Sequence, residues 1–319
     1  MKKLGMVFAT LAILSIGLMI PPVTQAKQDN NDVDVTFIVH CCLGHPFWEP
    51  LLKGAKEAAE RFNVNVDFQN ADSDPAKNVN LIEQAIANKQ DVIIPMLVHP
   101  DAMSGPLKKA MSKGITVIAA NADSPKAHDA REAYVGAEFV ASGELIANRI
   151  VNQFGIKKGS KCLVAGGKVE ESHIAARGQG VLSALKAAGV QGEIIRGGDI
   201  AEQALNVISQ YLLANPKTAC IIGLASAPTE VIPQAVEEAG LSNIPNGGFD
   251  LTPKITANIK AGLTTASVDQ QPFWQGFLPV LMAAYNKRYG LAPASFNTSN
   301  ALIDKDKLKF IEKYAGTYR

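Results

Sequence analysis

Strand and helix signals alternate along nearly the whole chain, and this alternation limits the fold more than any other feature. Val33–Val39 is a β-branched and apolar run. Leu51, Ala55 and Ala58 follow it at helical spacing. Residues 91–97 form an almost continuous apolar run, which is typical of a parallel strand covered on both faces. Strands that alternate with helices in this way form βαβ units, so the sequence predicts an α/β fold with parallel sheets.

The alternation stops and then restarts, which divides the chain in two. A polar segment at 124–132 interrupts it, and the brief extended piece 134–137 precedes a second series of helices and strands. The 319 residues also exceed what one typical core accommodates. We therefore predict two α/β lobes of similar build, each with a sheet between two layers of helices.

The first 26 residues have the features of a secretory signal peptide. Two lysines precede an uncharged apolar run over residues 4–20, and Thr24 and Ala26 supply small residues around a cleavage point. We expect cleavage after Ala26 and a mature protein in the periplasm. An uncleaved membrane anchor is the alternative.

The charge balance indicates which partners to expect. The chain has 31 basic and 30 acidic residues, and two of the lysines lie in the leader. A nearly neutral mature chain lacks the basic surface that nucleic acids or anionic membranes attract. We expect no nucleic-acid partner.

The four cysteines do not form a metal-binding pattern. Cys41 and Cys42 are adjacent, while Cys162 and Cys220 lie in predicted core strands. Export permits disulfides, but buried free thiols are the expectation for this arrangement. There is no CxxC motif and no Cys/His ligand spacing, so the sequence predicts no metal and no cofactor.

The loop between the first strand and the first helix is a candidate for ligand contact. In open α/β sheets, ligands bind outside the carboxyl ends of the strands, where this loop lies. Phe47 and Trp48 form either a flat apolar wall for a small ligand or two core plugs. His45 either donates to a ligand hydroxyl or caps the helix. His99 and His173 are expected at the surface.

Arg177 and Asp250 are the polar candidates from the second half of the chain. Arg177 follows an isoleucine and two alanines, which is an unusual setting for a solvated arginine. Its planar fork suits vicinal hydroxyls or a carboxylate, although a salt bridge is the simpler interpretation. Asp250 ends an apolar strand and either accepts hydrogen bonds from a polyol or caps the next helix.

Short motifs spread along the chain give it a family resemblance. In order they are Pro46-Phe47-Trp48 with Gly54-Ala55, Pro75-Ala76-Lys77, Asp101-Ala102, Arg177-Gly178-Gln179-Gly180, Gly248-Phe249-Asp250 and Asp269-Gln270-Gln271-Pro272. With these motifs in this order, the chain resembles the periplasmic sugar-binding proteins of ABC importers. Within them it resembles the ribose-binding-protein-like family of type I periplasmic binding proteins.

The resemblance implies two Rossmann-like lobes joined by three crossover strands. One lobe would comprise residues 33–135 and 271–296, and the other residues 136–270 and 297–319. A ligand would bind between the lobes, and a hinge would close around it. Carried over position by position, the resemblance implies ligand contacts at Cys41, His45, Phe47, Trp48, Met96, Asn121, Arg177, Asp199, Ser226, Asp250 and Gln270.

Departures from the family pattern bear on the ligand. Ribose binders of this family carry an Asn where Met96 stands, an Asp-Arg pair where Asn121-Ala122 stands, and an Asn near Ala225. Fewer partners for ring hydroxyls favour a deoxy, branched or acyclic polyol over ribose. A sugar acid is the main alternative, with Arg177 and His45 facing its carboxylate.

Together these features predict a monomeric, non-enzymatic solute-binding protein. It would capture a small monosaccharide or polyol and deliver it to the membrane permease of an ABC importer. A periplasmic co-receptor for a sensor is an alternative that the sequence does not separate from import. No nucleophile motif, phosphate-binding loop or HExxH is present, so we expect no catalysis. A transcription regulator with this fold would need a DNA-binding segment where the leader stands.

Overall fold

Two six-stranded sheets organise the chain in the computed structural model, which describes residues 33–41, 44, 46–298 and 301–319. The predicted signal peptide, Cys42 and His45 lie outside the described residues. The strands are β1 Val33–Val39, β2 Val64–Asn70, β3 Val92–Pro95, β4 Thr116–Asn121, β5 Ala133–Gly136, β6 Lys161–Gly166, β7 Gln191–Arg196, β8 Cys220–Gly223, β9 Asn246–Phe249, β10 Ala266–Asp269, β11 Phe296–Asn297 and β12 Ala301–Asp304.

Helices connect most of the strands. They are α1 Trp48–Phe62, α2 Pro75–Ala87, α3 Pro100–Ser112, α4 Phe139–Phe154, α5 Ser172–Ala187, α6 Ala201–Ala214, α7 Ser226–Glu238, α8 Pro253–Ala261, α9 Pro272–Tyr289 and α10 Lys305–Ile311. None of the helices in the described part of the chain has the length and apolar character needed to cross a membrane.

Both sheets have the strand order of a doubly wound α/β fold. The first sheet runs β11-β5-β4-β3-β1-β2 and the second β12-β10-β9-β8-β6-β7. Every described pairing is parallel except that between β10 and β12. An apolar cluster covers each face of each sheet. The predicted two-lobe α/β fold is confirmed.

The chain passes between the sheets three times. It leaves the first sheet after β5. After β10 it leaves the second sheet and returns to the first, where α9 packs against α1, β1, β4 and β5. The third passage separates β11 from β12, which lie in different sheets. The sequence pattern predicts one strand over 296–303, which is wrong, whereas the lobe boundary that the family resemblance implies falls within this run. The extended run is divided between two sheets, and α10 follows it because Asp304 caps that helix by accepting from the Lys307 N–H at 3.1 Å.

Close packing of α4 on α5 fixes the position of the second helix. A Cβ on Gly143 would lie 2.2 Å from the Arg177 carbonyl oxygen, and one on Gly180 would lie 2.0 Å from that of Val140. Only glycine permits this approach, so these two positions set where α5 presents its side chains.

The cysteine prediction is wrong for the second lobe. Cys162 on β6 and Cys220 on β8 are register partners, with their Cα atoms 4.6 Å apart, and they form a disulfide. Cys41 is also disulfide-bonded. The sequence showed two buried strand residues, but it did not show that these strands pair in this register.

Candidate ligand-binding site

A cavity lies where the carboxyl ends of the two sheets face each other. The described residues that line it are His40, Cys41, Phe47, Trp48, Asn121, Glu171, His173, Ile174, Arg177, Gly198, Asp199, Ala225, Ser226, Ala227, Asp250 and Gln270. Its volume is small, about 70 Å³.

Arg177 is the centre of a buried hydrogen-bond chain. Its side chain projects from α5 and is 3% exposed. Nη1 donates to the Leu224 carbonyl oxygen at 2.8 Å, and Nη2 donates to Gln270 Oε1 at 2.7 Å. Gln270 Nε2 in turn donates to Asp250 Oδ1. The guanidinium therefore reaches the Asp250 carboxylate through Gln270 rather than by a surface salt bridge.

Two aromatic rings pack against the Arg177 guanidinium. Its carbon lies 4.4 Å from the centroid of the Phe249 ring and 4.9 Å from that of Phe139. Such cation–π contacts gain strength when the cation is desolvated. Burial lowers the pKa of Arg177 from its usual value, and the nearby Asp250 charge opposes that shift. The arginine remains a cation, because guanidinium groups are not deprotonated in proteins.

Asn121 and Asp250 occupy equivalent places at the ends of β4 and β9, and both have left-handed backbones. Their φ angles are 61° and 78°. This conformation costs a non-glycine residue roughly 1–2 kcal/mol and is concentrated at functional sites. Asn121 Nδ2 donates to Gln275 Oε1 of α9 at 2.8 Å. Asp250 is not the cap of α8, because Thr252 has that role and accepts from the Ile255 N–H.

The aromatic pair of the first loop packs on the core and also lines the cavity. Trp48 belongs to the apolar core of the first lobe and also lines the cavity, and Phe47 packs against that core. The two rings meet edge to face with centroids 4.7 Å apart. The His40 ring stands against Trp48 at 5.3 Å. One side of the cavity is therefore an apolar aromatic wall.

Three further polar residues of the cavity were missed or misplaced by the sequence analysis. His173 was expected at the surface and is buried, because it lies one helical turn before Arg177 on the same face of α5. His40, directly after β1, and Glu171, directly before α5, were not singled out. The spacing of His173 and Arg177 was the signal that could have placed the histidine in the cavity.

Burial controls the charge of these three groups. It lowers the pKa of His40 to about 3 and that of His173 well below its usual value, with nearby cationic groups contributing. It raises the pKa of Glu171 to about 7. Both imidazoles are therefore neutral at physiological pH, and the carboxyl titrates near it.

The other candidate residues fall into three groups. Cys41, Asp199 and Ser226 line the cavity. Met96 is fully buried in the core of the first lobe and is not among the lining residues. His45 lies outside the described residues.

Direct hydrogen bonds join the two lobes beside the cavity. The Ser172 N–H donates to the Val98 carbonyl oxygen at 3.1 Å, and Ser172 Oγ donates to that of Leu97 at 2.7 Å. Leu97 and Val98 follow β3 of the first sheet, whereas Ser172 begins α5 of the second lobe. These contacts exist only while the lobes are together.

A family model described as a periplasmic binding protein domain matches residues 35–288. A xylose/arabinose-binding protein of Sulfolobus acidocaldarius is 27% identical over 77% of this chain and 64% of its own length. The chain thus spans less than two thirds of that relative. A ribose import binding protein of Escherichia coli is 24% identical over 75% of this chain and 80% of its own. A solved structure, a carbohydrate transporter from Acidothermus cellulolyticus in complex with myo-inositol, has TM-score 0.82 and 26% identity, covering 90% of this chain and 99% of that one.

Proposed function

Because the chain belongs to the type I periplasmic binding proteins, in their ribose-binding-like family, we propose that it captures a small neutral polyhydroxylated ligand between its lobes. The ligand class is a monosaccharide or sugar alcohol. The two curated relatives are named for pentoses, and the solved structure holds a cyclic polyol, which supports this class.

The buried chain of Arg177, Gln270 and Asp250 carries the proposal. Hydroxyl groups both donate and accept hydrogen bonds. This network of three side chains offers an amide and a guanidinium as donors and a carboxylate as acceptor. The aromatic wall of Phe47 and Trp48 suits the apolar C–H face of a sugar.

The hydrogen-bond network of Arg177, Gln270 and Asp250 also disfavours a sugar acid as the ligand. Two of the five N–H donors of Arg177 already donate to Leu224 and Gln270. The Asp250 carboxylate stands close enough to influence the pKa of Arg177, and a second anion there would be repelled.

Ligand binding would close the lobes around a hinge. The contacts of Ser172 with Leu97 and Val98 belong to the closed arrangement, and a ligand that touches both lobes selects it. We propose division near the three passages, with about residues 33–135 and 271–296 in one lobe and about residues 136–270 and 297–319 in the other. In the periplasm, the closed complex would pass its ligand to the permease of an ABC importer.

A thermal-shift screen tests the ligand class. A compound that binds the native state raises the melting temperature, so pentoses, hexoses, sugar alcohols and sugar acids are compared at equal concentration. We expect stabilisation by a neutral polyol. Stabilisation by amino acids or peptides alone, or by none of the compounds, would contradict the proposal.

Growth of a deletion strain separates import from sensing. A strain without this protein should fail to grow on the identified ligand as sole carbon source, and the cloned protein should restore growth. Normal growth together with a lost transcriptional response to the ligand would instead show a co-receptor.

A further inference from the structure

Three buried side chains in the cavity wall form a group that the proposed sugar contacts do not use. We call His40, Glu171 and His173 the His–Glu–His cluster. Each is at most 9% exposed, and their nitrogen and carboxylate ligand atoms all lie within 4.8 Å of one another. His40 follows a strand of the first sheet, whereas Glu171 and His173 lie beside and within α5 of the second lobe. The cluster therefore spans the two lobes.

Each member of the cluster has a buried polar atom without a partner among the described residues. These atoms are His40 Nδ1, Glu171 Oε1 and His173 Nδ1. The approach of His173 Nε2 to Glu171 Oε2, at 3.8 Å, is too long for a hydrogen bond. Buried polar groups in native structures are nearly always satisfied, so each residue of the cluster retains bonding capacity that the described protein groups do not fill.

We propose that the His–Glu–His cluster binds a divalent transition-metal ion, with zinc as the best match, and that the ion bridges the two lobes. Two imidazoles and one glutamate form a ligand set that zinc uses in proteins, with a fourth position left open. Calcium and magnesium prefer oxygen ligands, so two histidines select against them. The cluster lines the ligand cavity, so the open position is accessible from it.

The geometry requires only a local adjustment. A tetrahedral ion with bonds of about 2.1 Å holds its ligand atoms about 3.4 Å apart. The ligand atoms of the cluster are separated by no more than 4.8 Å, so side-chain rotations need to shorten the longest separation by at most about 1.4 Å. The two imidazole rings, whose centroids are 5.5 Å apart, are tilted by 54° and are not stacked face to face.

The protonation states agree with metal binding. Burial holds the pKa of both imidazoles low, which leaves each with the lone pair that a metal needs. The ion favours the ionised form of Glu171, whose pKa burial raises to about 7. Arg177 and Lys168 are the nearby cations that oppose an added positive charge. Arg177 is coupled to the Asp250 carboxylate through Gln270, and Lys168 pairs with Asp199 at 3.4 Å.

Metal titration of the full-length protein tests the site without any sugar. Untagged protein is freed of metal by chelation and titrated with Zn²⁺ in competition with a chromophoric chelator, and in parallel with Co²⁺ while visible absorption is recorded. The variants are His173→Gln and Glu171→Gln, and His128→Gln is the matched control because that histidine is exposed. Urea unfolding shows which variants fold.

We expect one equivalent of Zn²⁺ to bind the parent protein and the His128→Gln variant alike. Because even loss of an outer-shell partner weakens metal sites about 10–100-fold, each cluster variant should bind at least about tenfold more weakly. Co²⁺ should give visible bands that both cluster variants lose. If one variant does not fold, the other decides.

The proposal would be overturned by an absence of saturable Zn²⁺ binding to the parent protein, or by unchanged affinity in the folded cluster variants. If a sugar binds but Zn²⁺ does not, the metal proposal is wrong and the proposed sugar-binding function stands. If Zn²⁺ binds and no sugar does, the metal site stands without it.

Discussion

Replacing Arg177 with methionine probes the part of the cavity on which the proposed function rests. Methionine keeps an unbranched chain but removes the charge and all donors. The change leaves the Leu224 carbonyl and Gln270 Oε1 without their donor at 2.8 and 2.7 Å, and it removes the cation that faces Asp250. Both the free energy of unfolding and the ligand affinity should decrease.

The two magnitudes follow from the contacts. Removing one partner of a buried pair of charges lowers the free energy of unfolding by about 3–5 kcal/mol. The variant no longer has to bury the Arg177 cation, which offsets part of this loss, so we expect a value near the lower end of that range. A hydrogen bond from a charged donor contributes about 1.5–3 kcal/mol. We expect Arg177→Met to weaken ligand binding by at least about 2 kcal/mol, or roughly 30-fold in Kd.

Calorimetry with the tightest ligand from the screen measures affinity, and urea unfolding measures stability. Arg61→Met is the control, because Arg61 is exposed at the end of α1 and pairs with Glu57 in a surface contact at 2.7 Å. The control should change neither quantity by more than about 0.5 kcal/mol. Unchanged ligand affinity in folded Arg177→Met would refute the assignment of Arg177 to the ligand site.

Further changes test the rest of the account. Replacing Cys162 and Cys220 together with alanine opens a cross-link over 58 residues. Urea unfolding should then show a loss of about 4 kcal/mol, and equal stability would contradict the cross-link. Ser172→Ala removes the donor to Leu97 across the lobes. It should weaken ligand binding about fivefold in calorimetry, from about 1 kcal/mol for one hydrogen bond, and full affinity would argue that this contact does not report closure. Gln275→Leu deletes the side chain that joins Asn121, Gln270 and Thr298. Because these bonds connect α9 with residues beside two of the passages between the sheets, small-angle scattering should show that this variant no longer contracts with ligand. Normal contraction would show that closure does not depend on Gln275.

The fold was predictable because the sequence repeats one local signal many times. The continuous apolar character of strands such as β3 and β4 and the helical spacing in α1 indicate a parallel α/β arrangement without knowledge of tertiary contacts. The β11–β12 segment shows the limit of this approach. Its extended character is visible in the sequence, whereas its division between two sheets is indicated only by the family resemblance, because partners distant in sequence decide it.

The candidate site was predictable where the chain supplies a motif or an unusual setting. Arg177 stood out among small apolar neighbours, and it proved to be buried and to line the cavity. His173 did not stand out, because a single histidine carries little information until the helix face is known. Met96 is implied only by the family resemblance, yet it packs into the core, since a strand end can direct a side chain to either face of a sheet.

A crystal structure of the protein with the tightest ligand from the screen is the most direct test of the central claim. We expect one neutral polyol between the lobes, with an apolar face against Trp48 and hydroxyls within hydrogen-bond distance of Arg177, Asp250 and Gln270. A ligand bound at another place, or in this cavity without contact to Arg177 or Asp250, would contradict it.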